Sequence, residues 1–204
     1  MNNYDLKNFG YLIDTLPRDL FNALSKECKT GEKNNPEFIT GLTANNVAVH
    51  KSLVNNKEVL FDYIKTLIEK YDEMWPGLYD IKVMTNDLPY KFCEPWINYQ
   101  RKGEYLPNHN HDGIYSYSIW VKIPSPSIFE FTYTNIMGNI YQQKINLTNE
   151  DEGKIILFPS KLPHIVYPFN DTNKVRMSIS GNLNFDSSVA TKARSVNRSV
   201  YNYE

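Results

Sequence analysis

The stretch SYSIWVKIPSPSIFEFTY, Ser116 to Tyr133, decides the fold class. Upstream of about residue 80 the apolar residues recur at helical spacing, whereas here the period is 2. Ser116–Ile123 and Ile128–Tyr133 read as two strands. Pro124-Ser125-Pro126 between them reads as a turn, because proline cannot donate to a strand ladder. Working outward, the same period covers Ile81–Met84, Phe92–Gln100, Ile140–Ile145, Lys154–Phe158, His164–Pro168 and Arg176–Leu183. Turn chemistry such as Arg101-Lys102-Gly103 and Asn170-Asp171-Thr172 separates them. Short strands at this spacing after a helical segment predict a mostly β, α+β chain: a sandwich or jelly roll with helices on one face.

The helical segment has two parts. Leu16, Leu20, Phe21 and Leu24 give Asp14–Lys26 an apolar stripe, and the polar run Lys29–Pro36, with its Gly and Pro, reads as a loop. A second, stronger stripe of Leu60, Ile64, Leu67, Ile68 and Tyr71 predicts a helix over Asn56–Met74, ended by Trp75-Pro76-Gly77. Beyond Phe185 the sequence turns polar. The expected organisation is one domain over residues 1–185, helical over 1–80 and β over 81–185, with a polar tail at 186–204.

A chain of 204 residues can bury a full core without a disulfide or metal staple. Its 22 basic and 23 acidic residues leave a net charge of −1, which argues against a dedicated nucleic-acid binder. The aromatic content of 14% suits β strands better than a helical bundle. Cys28 and Cys93 are far apart and form no CxxC, so a reducing compartment is expected. Asp5 and Lys7 break any leader-like apolar run, and no window is long and apolar enough to span a membrane. The expected location is the cytoplasm.

Three of the four histidines form a pattern. His50 stands alone among polar residues and reads as a solvated or capping histidine. His109-Asn110-His111 is an HxH pair beside a strand, and residues i and i+2 of an extended chain share a side. His164 follows the apolar strand ending at Phe158 across a Pro-bounded turn. Neutral imidazoles converging in this way suit Fe, Zn, Cu or Ni. Asp112, next to His111, is an alternative carboxylate ligand, a support for a ligand imidazole, or simply the start of the turn into Gly113. Twelve residues past His164, Arg176 and Ser178 share one strand face, a ready clamp for a carboxylate. Asn98, Tyr99, Tyr115, Tyr117 and Trp120 are candidates to line a substrate cleft, although aromatic residues at alternating strand positions also read as plain core.

Taken in order, Trp96-Ile-Asn98, Lys102-Gly103, Pro107-Asn-His109-Asn-His111, Ser118-Ile-Trp120, Gly153-Lys-Ile-Ile-Leu-Phe158-Pro-Ser160, His164 and Arg176-Met-Ser-Ile-Ser-Gly-Asn182 resemble the 2-oxoglutarate/Fe(II)-dependent oxygenases. The resemblance covers roughly residues 92–185. It is nearest to the short branch with an HxH motif found in marine bacteria and phages. It implies a double-stranded β-helix, Fe(II) at His109, His111 and His164, and 2-oxoglutarate as a small-molecule cosubstrate with a carboxylate on Arg176. It also implies O₂ as oxidant, with decarboxylation to succinate and CO₂ coupled to hydroxylation of a C–H bond. Most of the superfamily carries HxD, so His111 stands where a carboxylate is usual, and His111 and Asp112 both stay open as the third ligand.

Other readings accompany this one. A cupin-like metalloprotein would lack the Glu expected after HxH and would leave Arg176 without a purpose. A three-histidine zinc hydrolase would need a general base that the sequence does not place. A non-catalytic jelly-roll module would make the histidines incidental.

Overall fold

The computed structural model describes residues 9–34, 49–76, 90–186 and 188. Strand β1 (Leu12–Thr15) leads into helix α1 (Arg18–Asn34), followed by β2 (Val49–Ser52) and helix α2 (Lys57–Met74). The β core then runs β3 (Tyr90–Phe92), β4 (Trp96–Gln100), β5 (Leu106–His109), β6 (Tyr115–Lys122), β7 (Ser127–Thr134) and β8 (Ile140–Leu147). It closes with β9 (Lys154–Pro159), β10 (His164–Val166) and β11 (Arg176–Phe185).

Among the described residues the strands make two sheets. The larger has seven strands in the order β1-β9-β6-β11-β4-β2, with β3 also on β11; the smaller is β5-β10-β7-β8. Every pairing is antiparallel. Two sheets face to face, with the chain passing repeatedly between them, are the expected jelly roll in its double-stranded β-helix form.

Alternation along the large sheet sorts its side chains into two cores. Ile97 and Tyr99 of β4, Tyr115, Ile119 and Val121 of β6, Ile155 and Leu157 of β9, and Met177, Ile179 and Leu183 of β11 pack against the helices. Leu20, Leu24 and Cys28 of α1 meet them, with Leu60, Ile64, Leu67 and Tyr71 of α2. Burying each of these apolar side chains contributes roughly 1.5–3 kcal/mol, so the α2 stripe alone fixes that helix to the sheet. Trp120, Ile156 and Phe158 point the other way, meeting Phe129, Phe131 and Leu147 between the sheets.

Several expectations shift. Asp14 belongs to β1, and α1 starts at Arg18, with the Pro17 carbonyl accepting the Phe21 N–H at 2.9 Å. The helix continues through Lys29–Asn34, where a loop was expected. Gly31 there is a point of close approach: a Cβ on it would collide with the Tyr99 hydroxyl, which donates to the Cys28 carbonyl at 2.9 Å. The expected strand Phe92–Gln100 is two strands, β3 and β4, broken at Cys93-Glu94-Pro95. Strands β1, β2 and β5 were not foreseen. The expected strand Ile81–Met84 and most of the polar tail lie outside the described residues. No described helix is long and apolar enough to cross a membrane.

Candidate metal centre

The smaller sheet brings the histidines together. β5 and β10 are antiparallel neighbours, and His109 stands directly opposite His164. His111 lies two residues past His109, where the chain leaves β5 for the large sheet. Its backbone N–H donates to the Ser160 carbonyl at 2.9 Å, and Ser160 N–H donates to the Ile114 carbonyl at 2.9 Å. The loop holding His111 is thus bonded to the turn that precedes His164. Gly113 in this loop has φ +120°, and a Cβ on it would meet the Leu183 carbonyl at 2.7 Å, so only glycine fits.

Each of the three histidines offers one ring nitrogen, and these atoms lie within 4.8 Å of one another. Ring centroids are 4.3 Å apart for His109–His164, 5.0 Å for His109–His111 and 5.1 Å for His111–His164. His109 Nδ1 lies 2.6 Å from the Pro107 carbonyl and His164 Nδ1 lies 3.1 Å from the Leu162 carbonyl. A carbonyl only accepts, so Nδ1 carries the proton in both rings and Nε2 presents a lone pair, the orientation that ligating histidines adopt. Phe129 stacks on His164 at 5.3 Å and Phe158 meets it edge-on at 4.9 Å. Burial, followed by the neighbouring His109, pushes His164 down to about 3 and His111 to about 4. Both are therefore neutral near pH 7, the form that binds metal.

Asp112 is set apart. Its carboxylate is fully exposed and ion-paired with Lys161 at 2.8 Å, and that hydrogen bond holds it below the usual carboxylate range. It does not belong to the cluster of donor atoms.

A cleft of about 190 Å³ opens beside the histidines, with Trp96, Asn98, Gln100, Ser118, Ser178 and Ser180 of the large sheet on its far side. Arg176 is not among the residues that line it; it is 4% exposed, with Nη1 donating to Ser127 Oγ at 2.7 Å and Nη2 to Oε1 of the lining residue Gln100. Among the described residues no carboxylate pairs with it, and burial lowers its pKa to about 10. Ser178 is engaged from across the sheet: Asn98 Nδ2 donates to Ser178 Oγ at 3.2 Å and to Ser180 Oγ at 3.0 Å. A buried guanidinium held by two neutral partners has the donor geometry that could take a carboxylate.

Of the cleft candidates, Asn98 and Tyr117 border the cleft. Tyr99 and Tyr115 do not: they face the helices, donating to the Cys28 carbonyl at 2.9 Å and to Asp72 Oδ1 at 2.5 Å. Trp120 is packed between the sheets against Phe129. His50, read as solvated or capping, is exposed and also lines the cleft from β2, opposite Asn98 in register and stacked on Trp96 with centroids 6.2 Å apart. The apolar run Val47-Ala48-Val49 before it was the available sign of a strand. Gln100 was also missed, although it continues the alternation of Trp96 and Asn98.

Residues 94–182 match the family model described as "Putative 2OG-Fe(II) oxygenase". Among solved structures, a prolyl-4-hydroxylase from Pseudomonas putida is similar over 86% of this chain and 92% of its own, at 15% identity and a TM-score of 0.56. A non-heme alpha-ketoglutarate-dependent carbocyclase of nogalamycin biosynthesis covers 88% of this chain and 80% of its own, at 9% identity and 0.59. HygX from Streptomyces hygroscopicus, with nickel and 2-oxoglutarate bound, covers 86% and 82%, at 12% identity and 0.51. These likenesses establish the shared fold. A search of curated protein sequences finds no match.

Proposed function

We infer that the chain is a non-haem Fe(II)/2-oxoglutarate-dependent oxygenase, an oxidoreductase that uses O₂. The carrying observation is a compact set of three imidazole donors, within 4.8 Å of one another, in a β core matching that family. The donor chemistry fits the metal, since neutral imidazole suits a divalent ion of intermediate softness. The buried Arg176, which no carboxylate among the described residues pairs with, fits a carboxylate of the cosubstrate. When bound, iron and 2-oxoglutarate supply the oxidative decarboxylation to succinate and CO₂ that drives oxidation of the prime substrate.

In this reading His109, His111 and His164 hold the iron. Their orientation is supported by the Pro107 and Leu162 carbonyls, which fix two of the rings. Arg176 holds the distal carboxylate, and Ser127 and Gln100 keep its guanidinium in place. Ser178, on the cleft wall, adds a hydroxyl near the cosubstrate. Phe129 and Phe158 keep water from the buried side of His164. The outcome expected on the prime substrate is hydroxylation of a C–H bond. The HxH–H–R order supports a likeness to the short oxygenases of marine bacteria and phages. Two free cysteines agree with work in a reducing cytoplasm.

A zinc hydrolase is the less favoured reading. Its metal-bound water needs a nearby base, and among the described residues no Asp or Glu lines the cleft. Anaerobic titration with Fe(II) and then 2-oxoglutarate tests the choice. The oxygenase develops a weak visible charge-transfer band and, on admitting O₂, forms succinate. Tight iron binding with neither band nor succinate would overturn the assignment.

A further inference from the structure

The side of the cleft facing the histidines carries a fixed aromatic pair. Trp96 Nε1–H donates to Asn98 Oδ1 at 3.1 Å, and Asn98 is itself held by Ser178 and Ser180. The Trp96 ring therefore cannot turn freely, and its centroid lies 6.0 Å from that of His111. His50 stacks on Trp96 with an interplanar angle of 29°. His50 is not in the cluster of donor atoms, so it is not a fourth ligand of that site.

Size and charge limit what can lie against this pair. The cleft, about 190 Å³, is smaller than the roughly 300–1,000 Å³ that usually encloses a small ligand, and a 2-oxo acid must share it. Only a small part of the prime substrate enters. Among the described residues lining the cleft there is no Asp, Glu, Lys or Arg. In the oxygenase reading the charges of the metal and of Arg176 are met by the cosubstrate, so a further ionic group entering there would lose its water without gaining a countercharge, a much larger penalty than for a neutral polar group. An uncharged group loses little and gains the aromatic faces.

Building on the oxygenase reading, we propose that His50 and Trp96 form the prime-substrate wall and select a substrate whose reacting group is uncharged. His50 acts as a positioning residue for Trp96 and for that group.

The test uses the full chain loaded with redox-silent Zn(II) and 2-oxoglutarate, following the Trp96 indole N–H by NMR, with Trp96→Phe to assign it. Three probes of similar size are titrated separately: N-methylacetamide, methylammonium and methanesulfonate. N-methylacetamide should shift the Trp96 signal saturably, and the two ions should leave it in place at equal concentration. His50→Ala should weaken N-methylacetamide about 2- to 10-fold, the value of one aromatic contact. His50→Phe, which keeps a ring face, should restore most of the loss. His50 is exposed, so its truncation spares the core. Equal response to an ion, no response to N-methylacetamide, or an unchanged affinity in His50→Ala would each overturn the proposal. If Zn(II) and 2-oxoglutarate fail to bind in the same samples, the oxygenase reading falls and this proposal with it. If they bind and Trp96 stays silent, only the wall assignment falls.

Discussion

His109 and His164 face each other across two antiparallel strands, their ring centroids 4.3 Å apart and their Nδ1 atoms each turned to a carbonyl two residues back. The strand ladder, rather than a flexible loop, sets this pair. His109→Ala or His164→Ala should therefore reduce bound Fe(II) from one per chain to near zero, since two donors make a poor site. His111→Ala should behave alike. Asp112→Ala should leave iron affinity unchanged, because its carboxylate is occupied by Lys161 at the surface. Metal analysis after desalting reads all four; strong loss in Asp112→Ala with retention in His111→Ala would reverse the ligand assignment.

Arg176 should be the main determinant of cosubstrate affinity. Truncating one partner of a buried, hydrogen-bonded charge pair costs about 2–5 kcal/mol. At about 1.4 kcal/mol per decade, Arg176→Ala should weaken 2-oxoglutarate binding roughly 30-fold or more by calorimetry. Arg176→Lys should recover part of the loss, lacking the planar fork. Iron affinity without cosubstrate should hardly change. An Arg176→Ala protein that binds 2-oxoglutarate like wild type would remove the residue from the site.

Acid should destabilise the metal-free protein through its histidines. His164 is pushed down to about 3 and His111 to about 4, while an unfolded histidine titrates near 6.5. Below about pH 6.5 the unfolded chain binds more protons than the folded one, so stability falls as pH drops through that window. Thermal melts in EDTA from pH 7.5 to 5 should show this decline, and His164→Gln should show a shallower one. Parallel wild-type and His164→Gln curves would contradict the assignment.

Gly31→Ala should destabilise the fold by about 1–3 kcal/mol, the usual cost of overpacking, because its new methyl meets the Tyr99 hydroxyl. Tyr99→Phe, which deletes that hydroxyl, should cost less when added to Gly31→Ala than when made alone. Additive losses in denaturant titrations would show that the contact is relieved in another way.

What the sequence disclosed and what it hid have distinct physical causes. The long strands were legible because turn residues bound each one, and the histidines because HxH and a Pro-bounded turn are local features. Strands β1, β2 and β5 have four residues each, too few for a period to emerge, and β5 contains Pro107. Missing β2 hid His50. The phase of the large sheet was equally hard to read: seven of the eight residues of β6 are buried, since helices cover one face and the small sheet the other. With both faces apolar, alternation does not tell the cleft from the helix side. That is why Tyr99 and Tyr115 could be read either as cleft candidates or as core. Gly31 misled in another way, since a glycine required by a neighbouring hydroxyl looks the same as one that ends a helix.

The backbone bonds between His111 and Ser160, and between Ser160 and Ile114, have a consequence for residue 111. The position of residue 111 is dictated by main-chain atoms and by Gly113, not by what its own side chain grips. Exchanging imidazole for carboxylate there would alter the charge and reach of that side chain while leaving these backbone bonds in place. In the oxygenase reading, a three-histidine set and a set with a carboxylate at residue 111 would thus differ by one side chain on the same scaffold.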